Sequence, residues 1–315
     1  MIRDLLPGKI IYLVLTLFLA CPLRAISGLH PPGDTVTAEK HIHKGRLIGV
    51  ATVGGVAYAG TMTGLYQLWY KNYPRSGFHF INDNNEWLYM DKMGHATTAY
   101  WFSRVGYKSL KWAGVEEKPA VWIGSAFGFA FLSTIEIFDG FSAEWGASAG
   151  DIAFNTLGTA LFIGQQFLWQ DQKFILKFSY SPTDYPQYNP ELLGKNQFQS
   201  IIKDYNGQTY WLSANIRSFL KKESNFPSWL NVAIGYGADG MTGARTNPGL
   251  VDGAPIPSFE RTSQYYLTLD IDLTRIKTRS ETLELLLNIV GFIKIPFPAL
   301  EYNARDGFRY HWIYF

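Results

Sequence analysis

Three pairs of polar residues interrupt an otherwise apolar, glycine-rich stretch between Asp91 and Asn155. Asp91 and His95 stand in MDKMGHATTAY, Glu136 and Asp139 in STIEIFDGFS, and Asp151 and Asn155 in GDIAFNTLG. Separations of three or four residues put both members of a pair on one face of a helix, so three helices can each offer two polar groups to one interior. His95 with Asp91, Glu136 and Asp139 makes a mixed nitrogen and oxygen donor set, the kind that holds a divalent transition metal such as Zn, Mn or Fe among helices. The same groups admit acid/base chemistry, with His95 and a Glu136 raised by burial as the candidate catalytic pair acting on a lipid or glycan. They equally admit a structural network in which Lys92 or Arg104 neutralises a carboxylate, Asn155 takes part, and Asp151 caps its helix. No serine nucleophile elbow, phosphate loop or paired CxxC accompanies them.

The elements that must position these pairs follow from hydropathy and punctuation. Ile48 to Tyr70 carries no formal charge and is bracketed by Arg46 and Lys71; its length alone permits a membrane span. A second helix, from Asp91 to about Leu110, includes Arg104 and Lys108 and is amphipathic. Pro119 opens a third, ending near Ile137, and Asp151 opens a fourth that runs uncharged to Trp169. From Lys173 the apolar period becomes two, as in Phe174, Leu176, Phe178 and Tyr180, or Tyr265, Leu267, Leu269 and Ile271. That period indicates strands, about five of them, with a helix near Glu281 to Val290. The expected class is α+β, with an apolar bundle of about four helices over residues 46–170 followed by a mainly antiparallel β-rich region over residues 171–315. In the last strand Phe308, Tyr310, Trp312 and Tyr314 share one face. With fewer strands than the eight of most small membrane barrels, this face is expected to be core, packed in a sheet against the helices.

The N-terminus reads as an export signal over residues 1–25. Arg3 and Lys9 precede an uncharged run from Ile10 to Ala20, too short to span a bilayer. The only cysteine, Cys21, follows that run directly and is the candidate lipidation site, with ordinary signal-peptide cleavage after Ala25 as the alternative. Residues 26–45, with Pro31, Pro32, His30, His41 and His43, read as a linker. The formal charge of +2, without a dense Lys/Arg run, excludes an electrostatic footprint for nucleic acid. Aromatic content of 16% suits a lipid interface.

The run DKMGH, the acid pair in EIFD, and the serine- and glycine-containing turn into SAGDIAFNTLG together resemble the YfiM-like family of predicted periplasmic lipoproteins. More distantly, the DK-x-x-H helix, a later glutamate and the D-x-x-x-N-x-x-G helix resemble the VanZ-like membrane proteins, with Asp139 where their pattern has glutamine. The resemblance covers about residues 45–170 and leaves the β-rich region outside it. It implies a helix arrangement and a lipid-anchored place in the bacterial envelope, on the periplasmic side of the outer membrane, and no particular reaction. The expected role is therefore a structural or interaction one, with membrane lipid and other envelope proteins as partners. An envelope enzyme or metal-binding protein at the polar cluster is the first alternative. The second is a VanZ-like integral protein of the inner membrane.

Overall fold

A computed structural model describes residues 42–71, 73–221 and 223–315. The export signal, Cys21, His30 and His41 lie outside the described residues. Among the latter the chain forms two compact units. One comprises the chain up to Ile81 together with Ser103–Ala147, the other Asn82–Phe102 with Ser148–Phe315. This division interleaves the sequence rather than falling near residue 170.

The first unit is helical. Helix α1 spans Lys44–Leu65 and continues as a wider π-helical turn over Tyr66–Tyr70. The rear half of α2 (Met90–Trp112) and all of α3 (Glu117–Gly140) complete it. Pro119 falls in the first turn of α3, where no N–H partner is needed. The buried stripe Val121, Gly124, Ser125, Gly128, Phe131 and Leu132 recurs at three and four residues and gives α3 one inward face. Trp122, Ile123, Phe127 and Ile137 cover the opposite face and are exposed. By length and composition α1 and α3 could each cross a membrane, and only 6% of the most apolar window of α1 is buried.

The second unit is a sheet with helices. It holds the first half of α2, helix α4 (Ala149–Trp169), and strands β1 (Phe174–Tyr180), β2 (Gln208–Asn215), β3 (Leu230–Asp239), β4 (Thr262–Ile271), β5 (Phe297–Asn303) and β6 (Gly307–Tyr314). A helix α5 (Glu281–Ile289) precedes β5, close to its expected position. The strands form one six-stranded antiparallel sheet in chain order, so the class is α+β.

Register sorts the sheet into rows. Phe178, Tyr210, Tyr236, Tyr265, Tyr302 and Phe308 face one another across all six strands. The next row on the same face is Leu176, Leu212, Ile234, Leu267, Leu300 and Tyr310. The opposite face is polar and buried: Lys177 and Asp270 pair at 2.8 Å with both side chains fully enclosed, and His311 sits 2.6 Å from Glu301. Ser213 and Asn231 fill the same layer, with Ser213 donating to Asp270 and Asn231 to Ser213. Tyr314 reaches over this concave face to stack on Tyr266 with ring centres 4.3 Å apart, and its hydroxyl meets Thr209 of β2 at 3.1 Å. A contact between side chains of β2 and β6 over one face requires the sheet to curl around that face.

The expectation for the last strand is corrected here. Trp312 is 79% exposed and Phe308 72%, while Tyr314, read as a member of the same face, turns inward after a register shift between His311 and Tyr314. The aromatic stripe is surface, and the core of the curled sheet holds a polar layer beside the rings of Trp211, Tyr266 and Tyr314.

Candidate functional site

Helix α2 starts from a left-handed turn. Trp87, Leu88 and Tyr89 have φ of 49°, 50° and 64°, a region that non-glycine residues populate sparsely. Neighbours hold it in place: the Trp87 N–H donates to the Ala244 carbonyl, the Tyr236 hydroxyl to the Leu88 carbonyl, and Arg245 pairs with Glu86 while donating to the Asn82 carbonyl. Met90 then packs fully buried against Ala238 and Met241. The side chains of Asp91, Lys92 and His95 are thereby aimed from a fixed helix start.

Helix α4 supplies the other wall. Ser148 is its N-cap, accepting from the Asp151 N–H at 3.1 Å and donating to Asp83. Asp151 is therefore a first-turn residue rather than the cap, and its carboxylate is left to face α2. Both helices come close because Gly158 has no side chain: a Cβ there would stand 2.0 Å from the Ala96 carbonyl oxygen. Gly150 likewise leaves room for the stem of Lys92.

Lys92 Nζ lies 2.7 Å from Asp83 Oδ2, 2.7 Å from Asp151 Oδ1 and 3.2 Å from Asp91 Oδ2, with its side chain 1% exposed. The Asp151 contact is a buried ion pair. Tyr205 donates to Asp91 Oδ1 at 2.7 Å. His95 Nδ1 is 3.0 Å from Asn155 Oδ1, an acceptor, which assigns the proton to Nδ1 and turns Nε2 toward the carboxylates. Nε2 stands 3.9 Å from Asp91 Oδ1 and 3.8 Å from Asp151 Oδ1. One donor atom each from Asp91, His95 and Asp151 falls within 4.8 Å of the others. Asn155 is fully buried and its Nδ2 makes no hydrogen bond.

Three carboxylates thus surround one ammonium. Burial, followed by the neighbouring Asp91 charge, pushes the Asp151 carboxyl up to about 8. Burial also pushes Asp91 up, but His95, Lys92 and the Tyr205 hydrogen bond outweigh it and hold that carboxyl below its usual range. For Lys92 the attraction of Asp91 and Asp151 overrides desolvation and raises the ammonium above its ordinary value. The cluster has more negative charge than Lys92 neutralises, so it draws in a proton or another cation.

The expected pairs are not all brought together in this cluster. Glu136 and Asp139 belong to the helical unit, where Glu136 is 3% exposed and Tyr70 donates to Asp139 at 2.7 Å. A groove of about 310 Å³ beside them is lined by Tyr66, Tyr70, Tyr73 and Arg75. Arg104 belongs to that unit too. The donor set expected from Asp91, His95, Glu136 and Asp139 is therefore divided between the units, and Asp151 completes the group around His95. Asp83, Ser148 and Tyr205 were not legible as site residues: Asp83 lies in the Asn-rich run INDNNEW, and Tyr205 sits in a KDYNG turn with nothing nearby in sequence to link it to Asp91.

Sequence comparison bears on this cluster directly. Residues 79–164 match the predicted periplasmic lipoprotein family DUF2279. The matched segment contains every residue of the cluster except Tyr205. It supports the lipoprotein resemblance and an exported, periplasmic place in the envelope, and it does not extend to the VanZ-like one. No curated protein and no solved structure matches the chain.

Proposed function

We propose that this protein is an envelope lipoprotein, anchored through Cys21 on the periplasmic side of the outer membrane, whose α2–α4 helix pair is clamped by a divalent transition metal at Asp91, His95 and Asp151. The role is structural: the metal ties α2 to α4 and so steadies a platform for membrane lipid and other envelope proteins. The convergence of the three donor atoms around His95 Nε2, with Nδ1 already committed to Asn155, carries this reading, because an orienting partner on the second nitrogen is how metal-binding imidazoles are held. His95 Nε2 stands 3.8–3.9 Å from both carboxylate oxygens, somewhat wider than the ~3.4 Å between ligands of a tetrahedral ion at ~2.1 Å, so a bound ion would draw the donors together. Asp83 and Lys92 then form the outer layer, and a dication offsets the excess negative charge.

A second reading rests on the raised Asp151 carboxyl beside the His95 imidazole, a pair that suits proton exchange at a lipid or glycan substrate. One measurement separates the two. Purified full-length protein should melt at a higher temperature with Zn or Mn than after chelation, and His95→Ala should abolish the difference. Equal melting with and without chelator in the wild type would remove the metal and leave the proton. Intact mass of the mature protein tests the anchor: a chain starting at Cys21 and carrying acyl chains is expected, and an unmodified chain starting elsewhere would refute it.

A further inference from the structure

The sheet inverts the polarity of a water-soluble fold. Its concave side encloses the Lys177–Asp270 pair and a layer of hydroxyls and amides, whereas its convex side carries no charged residue along the two rows that cross all six strands. In water such an arrangement exposes the face that the hydrophobic effect would bury. Ile234 is 57% exposed and Leu267 50%. On β1 and β2 the same rows are half-buried, since the start of α2 covers that corner and Gly94 admits Tyr210.

The chemistry of the missing neighbour can be read from how the residue types are placed. An aliphatic patch at the centre, Val232, Ile234, Leu267, Leu269 and Leu300, is bordered on two sides by rings. One border is the aromatic row crossing the strands, the other is the length of β6 with Phe308, Tyr310 and Trp312. Amphipathic rings around an aliphatic centre match the layering of a membrane surface, headgroups outside hydrocarbon. The band from Tyr236 to Val232 is about 14 Å tall at ~3.4 Å per residue, roughly half the ~25 Å band of a membrane-crossing barrel. That extent is too short to cross a bilayer and suits a face lying along one leaflet. An open sheet edge is not tolerated in hydrocarbon, so the edge strands β1 and β6 belong at the rim of the docked face, and β6 brings the rings Phe308, Tyr310 and Trp312 to that rim.

We propose that the convex face of the sheet docks into one leaflet of an envelope membrane, with the aliphatic patch in hydrocarbon and the β6 rings at the headgroups. This docking needs neither metal at the Asp91 cluster nor lipid at Cys21. The test uses the full wild-type chain on vesicles of phosphatidylethanolamine and phosphatidylglycerol containing a hydrophobic diazirine, with a parallel sample oxidised by hydroxyl radicals from the water phase. Photolysis should label Ile234, Leu267 and Leu300 several-fold more than the inward neighbours Ala233, Thr268 and Ala299, and the vesicles should protect Tyr265 from oxidation. Strands held off the bilayer by an anchor alone would show no such alternation in labelling and an unprotected Tyr265, overturning the proposal. Protection of Tyr265 without diazirine labelling would mean a protein cover, such as a second copy, and would overturn it equally.

Discussion

At the residue scale the cluster turns on Lys92. Its ammonium is enclosed and touches three carboxylates, so replacing it with the apolar isostere in Lys92→Met would leave Asp83, Asp91 and Asp151 facing one another unscreened. Breaking a buried ionic arrangement from one side costs about 3–5 kcal/mol, and chemical denaturation of the variant should show a loss of that size. Bound metal should recover part of it, because a dication restores the missing positive charge. Asp151→Asn tests the other side. It replaces a carboxyl that the crowded site already pushes toward its neutral form, so in the chelated protein it should cost little or even stabilise, while metal affinity should fall by an order of magnitude or more. Isothermal titration with Zn on both variants reads these effects, and an Asp151→Asn protein that binds Zn as the wild type does would exclude Asp151 as a ligand.

Between elements, geometry is set by where backbones can approach. Gly158 and Gly164 lie on the same helix, α4, but meet different surroundings: a Cβ at Gly158 would strike the Ala96 carbonyl, and one at Gly164 would meet nothing within 4 Å. Gly158→Ala should therefore force α4 away from α2, at about 1–3 kcal/mol, and weaken Zn binding because Ala96 adjoins His95. Gly164→Ala should stabilise by about 0.5–1 kcal/mol through helix propensity alone. Thermal melts of the two variants decide it; a destabilised Gly164→Ala would sink the account of open space. The same scale explains what the chain reveals of itself. Helices α2, α3 and α4 begin and end within a few residues of their expected positions because caps, proline and apolar period are local signals. The pairing of His95 with Asp151 rather than Glu136 was not legible, since spacing puts Glu136 on an inward face without saying which helices that face meets. Strand alternation was legible as well, but a period of two marks two faces and does not say which one is inside. The core assignment of the β6 aromatics assumed water as the solvent, and Phe308, Tyr310 and Trp312 are instead outside.

For the whole molecule, inverted polarity makes a prediction that ordinary folds do not share: the enclosed side of the sheet should be sensitive, polar groups and rings alike, and the aromatic exterior tolerant. Trp312 and Tyr314 provide the comparison, two residues apart on the last strand. Trp312 is the larger ring but stands 79% exposed, with Tyr310 as its ring neighbour. Tyr314 stacks on Tyr266, lies 6.0 Å from the Trp211 ring, and meets Thr209 across the curled sheet. Truncating a packed interior ring costs about 3–5 kcal/mol, whereas exposed substitutions stay within about 0.5 kcal/mol. Tyr314→Ala should accordingly lower the melting temperature of the protein in detergent by many degrees, and Trp312→Ala should hardly move it. In vesicles the order should partly reverse for membrane contact: Trp312→Ala should lose diazirine labelling along β6 although the fold is intact. If Trp312→Ala unfolded the protein and Tyr314→Ala did not, the aromatic stripe would be core after all, and the convex face would have to be covered by protein.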